Sequence, residues 1–297
     1  MPFKMFCFGM GFVSQRLSIE LIKQGWIIEG TTRSFEKAKN LFSQSIIPHV
    51  FNTYNNFPVY NLKDILKGVT HVLISVPPNS KSMKDPVLSY HSTDLSFLPP
   101  NTWIGYLSST SVYGNHNGAI VTEQDILKPS SEIGRKRVLS EKEWLFFSQH
   151  HKLNLQIFRL SGIYGPGRNI LKKIQLGSAR HIIKENQIFS RIHVEDAVAM
   201  IIASIYTSKT HSSIYNVCDN LPAPPQNVLL YGCQLLNMIP PPIEYFQKNY
   251  INSKNARFYE DSKSVSNAFI KHELSYTMQY PDYRIGLKAI FDQKIIY

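Results

Sequence analysis

Short apolar runs alternate with helical patterns over the first 160 residues. Residues 4–8 form an apolar run that enters Gly9-Met10-Gly11-Phe12-Val13-Ser14 directly, and a helical pattern continues to about residue 24. A second run covers 26–30, a helical stretch 35–42 and a third run 46–50. Residues 70–76 make another, stopped by Pro77 and Pro78. Near-continuous apolar strands of this kind suit a parallel sheet covered on both faces. His71, at the start of that run, reads as a packing residue. A helix from Asp85, a strand at 103–107 and a last strand at 155–160 complete the series. Strand–helix alternation predicts an α/β protein with a Rossmann-type, doubly wound parallel sheet.

The alternation fails after residue 167. Residues 169–190 read as an excursion, and 191–197 as a return to the main sheet. An amphipathic helix is expected at 197–206, with Glu195 and Asp196 suited to its N-terminal dipole, and a late strand at 215–219. The predicted organisation is a nucleotide-binding domain at 1–167, completed by about 191–217. Segments 168–190 and 218–297 form a smaller C-terminal cap, punctuated by Pro222-Ala223-Pro224-Pro225 and Pro240-Pro241-Pro242.

The chain has 297 residues, 43% hydrophobic and 12% aromatic, enough for a sizeable core. No apolar run approaches the roughly 20 residues of a membrane helix, and the apolar start (1–13) reads as a buried first strand, not a signal peptide. The net charge of +11 raises nucleic-acid binding. Yet the basic residues are spread along the chain without a block of like charge or an accompanying binding motif, so small phosphorylated ligands fit better. Three scattered cysteines (Cys7, Cys218, Cys233) fit a reducing cytosol and a cytoplasmic protein. Ten histidines show no metal-ligand spacing, and His150-His151 is merely adjacent, so no metal is expected. A Walker-type loop and a Gly-x-Ser-x-Gly elbow are both absent.

The glycine turn carries candidate chemistry. Gly9 permits a tight turn, Gly11 lets backbone amides of Phe12 and Val13 approach a pyrophosphate, and the helix start stabilises its charge. Ser14, small enough for close helix–strand packing, takes the third glycine place. After the second strand, where dinucleotide folds that prefer NAD carry an acidic residue, stand Thr31-Thr32-Arg33. A guanidinium pairs with a 2′-phosphate that a carboxylate would repel, which favours NADP over NAD. Glu29 would support NAD if the strand were shifted in register. Ser75, Val76 and Pro77, at the carboxyl end of their strand, are expected to line the adenosine side.

Several motifs occur in order: Gly9-x-Gly11, Gly30-Thr31-Thr32-Arg33, Ser75-Val76-Pro77-Pro78, Ser108-Ser109-Thr110-Ser111-Val112-Tyr113-Gly114, Ile163-Tyr164-Gly165-Pro166-Gly167-Arg168 and Arg191-Ile192-His193-Val194-Glu195-Asp196. Over nearly its whole length the chain resembles the atypical branch of the extended short-chain dehydrogenase/reductases, the NAD-dependent epimerase/dehydratase-like proteins. The resemblance implies an NADP(H)-dependent oxidoreductase or epimerase-like protein. Its implied substrate is a small polar molecule of the sugar or nucleotide-sugar kind. It also implies that Ser108, Arg137, Ile163 and Tyr164 lie on the nicotinamide side. A homodimer face is implied on helices expected at 132–149 and 169–176.

In such relatives a Tyr-x-x-x-Lys pair exchanges a proton with substrate. Here Glu132-Ile133-Gly134-Arg135-Lys136-Arg137 puts Ile133 and Arg137 in those places. Ile133 cannot ionise, and Arg137 keeps its charge without giving up a proton. The candidates for the chemistry are Ser109, to bond a substrate oxygen, Tyr113 as acid/base, and Arg137 as the fixed charge. Tyr164 and His193 are further acid/base candidates, each also fitting a packing role. The alternative of a different class is a catalytically silent dinucleotide-binding sensor or interaction protein.

Overall fold

The computed structural model describes residues 2–53, 55, 57–78, 83–207, 212–247 and 259–297. The strands are β1 (Lys4–Phe8), β2 (Ile27–Thr32), β3 (Ile47–Val50), β4 (His71–Ile74), β5 (Trp103–Ser109), β6 (Ile120–Val121), β7 (Asn154–Leu160), β8 (Gly162–Tyr164), β9 (His181–Ile183), β10 (Arg191–His193), β11 (Ser213–Val217), β12 (Ile243–Tyr245) and β13 (Ser264–Val265). The helices are α1 (Phe12–Lys23), α2 (Phe35–Phe42), α3 (Leu62–Ile65), α4 (Pro86–Leu95), α5 (Glu132–His150), α6 (Ile170–Gln175), α7 (Val194–Tyr206), α8 (Pro225–Leu236), α9 (Ala268–Glu273) and α10 (Tyr283–Asp292).

The chain forms two compact units. The first comprises 1–109, 135–159 and 201–215; the second comprises 110–134, 160–200 and 216–297. A seven-stranded sheet has the order β11-β7-β5-β4-β1-β2-β3, and β1 pairs in parallel with both β2 and β4. The order reverses at β1, so the carboxyl ends of β1 and β4 flank a topological switch point, where ligands of open α/β sheets bind. All residues of β4 and β7 are buried, as the apolar runs require.

Local chemistry accounts for the elements around that point. Val13, Leu17 and Leu21 recur on the buried face of α1, and burial of each contributes roughly 1.5–3 kcal/mol. Gly25, at φ +83°, ends the helix in a left-handed turn that glycine adopts without strain. Asp85 caps α4 by accepting from the N–H groups of Val87 and Leu88, and Pro86 occupies the first turn, where its missing N–H costs nothing. His71 is 8% exposed and lies 4.7 Å from the Trp26 ring. Burial pulls its pKa down to about 4, so it packs as an uncharged ring.

In the second unit, 191–193 do not return to the main sheet. The chain leaves that sheet at Ser161, whose N–H and Oγ both donate to Val217 O. Residues of β11 take the place beside β7, and β10 pairs in parallel with β8 as a separate two-stranded sheet. The helix expected at 169–176 is a six-residue α6 capped by Asn169. Its Leu171 and Ile174 are buried in clusters with Val228, Leu229 and Cys233 of α8.

Candidate functional site

The β1–α1 turn belongs to the first unit and has the expected form. Gly9 has φ +91°, and a Cβ there would lie 2.9 Å from Ser75 Oγ. Gly11 is the N-cap of α1, with no side chain capping the helix, and a Cβ on it would meet nothing within 4 Å. The first N–H groups of a helix have no intrahelical acceptor. An uncapped helix start below open space therefore fits a pyrophosphate of a dinucleotide. Phe12 is half-buried beneath the Arg16 guanidinium, and Val13 is buried.

Thr32 closes β2 half-buried and Arg33 follows it exposed. Glu29 lies in the strand interior, and its carboxylate is bonded by Lys4 Nζ at 2.6 Å and His49 Nε2 at 2.6 Å. Burial opposes its charge, but the His49 and Lys4 hydrogen bonds outweigh that and hold the carboxyl below its ordinary pKa. The one carboxylate on β2 is thus engaged within the sheet. Ser75 and Val76 are half-buried and Pro77 is exposed beyond the end of β4.

At the end of β5, Arg137 Nη1 donates to Leu107 O at 2.7 Å. One helical turn later Glu141, 1% exposed, accepts from Ser108 Oγ and from Arg159 Nε and Nη2, the last at 2.8 Å. Helix α5 is therefore latched to β5 by a charged side chain from each of two successive turns, and Arg159 ties in β7. Ser109 is half-buried at the strand end. Sequence reading passed over this pair. The signals available were an arginine inside the apolar run Leu155-Gln156-Ile157-Phe158-Arg159-Leu160 and a glutamate four residues after Arg137.

The remaining candidates lie in the second unit. Tyr113 is fully buried and its hydroxyl donates to Asn216 Oδ1 at 2.6 Å. Tyr164 is 8% exposed and fills the notch at Gly286, where a Cβ would clash with its hydroxyl. Burial, and then the charges of Asp219, Asp196 and Asp282, push the Tyr164 pKa well up, which makes it a poorer acid. Ile163 beside it is half-buried. His193 is 2% exposed, 4.0 Å from the Tyr280 ring, and its Nδ1 accepts from Glu195 N–H. Asp196 anchors the later chain by accepting from Tyr276 Oη, Gln279 N–H and Tyr280 N–H. Asp219 is 1% exposed. Burial raises its pKa to about 8 against the opposing Leu221 N–H bond and the Arg191 charge. Ile133 is 49% exposed. Among the described residues no cluster of metal ligands occurs, and no helix is long and apolar enough to cross a membrane.

The strand order and the glycine turn define a Rossmann-type α/β protein. The model of the NAD-dependent epimerase/dehydratase family matches residues 103–218. A functionally unknown conserved protein from Silicibacter pomeroyi is 37% identical over 99% of each chain, with a TM-score of 0.86. The chain belongs to the NAD-dependent epimerase/dehydratase family. Two enzyme structures share its fold at lower identity. UDP-glucuronic acid 4-epimerase from Bacillus cereus, in complex with UDP-glucuronic acid and NAD, is 16% identical over 99% of this chain and 100% of that one, with a TM-score of 0.79. dTDP-glucose 4,6-dehydratase from Bacillus anthracis, in complex with NAD, is 15% identical over 98% and 96%, with a TM-score of 0.77. No curated protein matches the chain.

Proposed function

We propose that the chain is an NADP(H)-dependent oxidoreductase of the epimerase/dehydratase kind, acting on a small polar substrate of the sugar or nucleotide-sugar class. Its proton relay does not use the tyrosine of its relatives. The observation that carries the reading is the uncapped start of α1 below open space at Gly11. The amides of Gly11, Phe12 and Val13 would bind the pyrophosphate, with Val76 and Pro77 toward the adenosine, while the Ser75 hydroxyl is turned to Gly9 O. Thr32 and Arg33 would bind a 2′-phosphate. Support for NADP over NAD is the exposed Arg33, together with a Glu29 already bonded by Lys4 and His49.

A bound nicotinamide supplies or accepts hydride. Arg137, fixed on Leu107 O, keeps a positive charge at the end of β5, and Ser109 would bond the substrate oxygen whose carbon exchanges hydride. Tyr113 and Tyr164 are left out of the relay. A hydroxyl fully buried on Asn216, and another whose ionisation burial opposes, are poor partners for proton exchange. The exposed face of α5, with Phe146 74% exposed, is our choice for a homodimer contact.

A second reading, a catalytically silent dinucleotide-binding sensor, is favoured by Ile133, which cannot ionise. One experiment separates the two. Fluorescence titration should give tighter binding of NADPH than of NADH, with the preference lost in Arg33→Ala. Deuterium from labelled NADPH should then appear on the carbinol carbon formed from a keto member of a sugar-nucleotide panel, its oxygen taking up a proton, more slowly in Ser109→Ala. Cofactor binding without transfer to any panel member supports the sensor. No binding of either nucleotide refutes both.

A further inference from the structure

Ser14 stands in the third glycine place and is fully buried, so its hydroxyl needs a partner. It donates to Ser75 Oγ at 2.8 Å, and Ser75 Oγ donates to Gly9 O at 2.6 Å. The direction is fixed, because a carbonyl only accepts: the single Ser75 proton goes to Gly9, and Ser75 receives the proton of Ser14. On the other side of the turn Thr31 completes the arrangement. Its Oγ1 accepts from Gly9 N–H at 2.7 Å and its carbonyl from Met10 N–H at 3.0 Å. The peptide joining Gly9 and Met10 is therefore held at both ends, its oxygen by β4's end and its N–H by β2.

We propose that Ser75 is a positioning residue for a dinucleotide pyrophosphate, acting through Gly9 and not by touching the ligand. The proposal rests on the cofactor reading above. Glycine offers little steric resistance to a peptide flip, and a carbonyl turned toward the ligand would repel phosphate oxygens. The Ser75 bond holds that negative end against β4. Gly11 and the first N–H groups of α1 remain the groups that face the open space. Packing agrees with this role, since the Ser75 hydroxyl sits 2.9 Å from where a Gly9 Cβ would be. The serine in the third glycine place finds its partner in Ser75, 61 residues later, but Ser75 alone holds the Gly9 carbonyl.

The test is calorimetric titration of the full chain with NADPH and with adenosine 2′-monophosphate, which carries the 2′-phosphate but no pyrophosphate. In Ser75→Ala, NADPH should bind about fivefold more weakly, the factor of one lost neutral hydrogen bond. The affinity for adenosine 2′-monophosphate should not change. Ser14→Ala, which keeps the bond from Ser75 to Gly9, should bind NADPH like the wild type. If Ser75→Ala does not fold, Ser75→Cys, a near-isostere with a weak donor, should show the same split. Should NADH be the tighter ligand, NADH and adenosine replace the two probes. Unchanged dinucleotide affinity in the Ser75 variant, or an equal loss for both probes, overturns the proposal and leaves the cofactor reading standing. A wild type that binds neither dinucleotide overturns both.

Discussion

Removing the Glu141 carboxylate should be the most damaging single change in the first unit. Glu141 and Arg159 have side chains 2% and 4% exposed and meet at 2.8 Å. At an effective dielectric of about 20 their attraction is about 6 kcal/mol, much of it offset by the desolvation of both ions. Glu141→Ala removes the attraction but leaves Arg159 buried and charged, with Ser108 deprived of its acceptor. Breaking such a pair costs about 3–5 kcal/mol. With a urea m-value of about 3 kcal/mol/M for a chain of this size, the midpoint should fall by about 1–1.7 M. Tryptophan fluorescence suits the assay, because Trp26, Trp103 and Trp144, the three tryptophans of the chain, all lie in the first unit. The double variant Glu141→Leu/Arg159→Met, which removes both charges, should recover most of the loss. A midpoint shift under about 0.3 M in Glu141→Ala, or a double variant weaker than the single one, would refute the buried-charge argument.

Two further outcomes follow from the second unit and from α5. Ile133→Tyr combined with Arg137→Lys places a tyrosine and a lysine four residues apart on α5 and should raise deuterium transfer from labelled NADPH above wild type; no gain would count against an alignment that puts Ile133 in the place of a catalytic tyrosine. Asp219, with its pKa raised to about 8 by burial, holds a proton in the folded chain that the unfolded chain releases near its ordinary pKa of about 4. Its contribution to stability is therefore full below about pH 4 and is lost as pH rises to about 8. Asp219→Asn imitates the protonated form, so denaturation midpoints should lose that decline and at pH 9 should equal or exceed those of wild type. A variant less stable than wild type at pH 9 would show Asp219 to be charged and paired instead.

Local signals in the sequence marked most of the first unit. The apolar runs of β1, β4 and β7, the glycines at 9 and 11, and Asp85-Pro86 before α4 each act within a few residues, so pattern and turn chemistry suffice to place them. What escaped depends on pairing across long separations. Ser14 meets Ser75 and Glu141 meets Arg159 only once the strands are in register. Nothing within residues 191–193 says that their partner is β8 and not the main sheet. Tyr113 reads as an acid/base candidate from its spacing near Ser109, whereas its burial on Asn216 comes from a residue 103 positions away.

The strand order also sets a hazard during synthesis. Strand β7 is wholly buried in the finished sheet, between β5 and β11, yet it leaves the ribosome some fifty residues ahead of β11. At about 5–20 residues per second its outer edge stays unpaired for about 3–10 s. During that interval it is a largely apolar edge, with Arg159 as its one charge and no proline, so it has little of what protects permanent edges. Nascent chains should therefore be most prone to aggregation, and most dependent on chaperones, when they have grown past residue 160 and not yet reached residue 217.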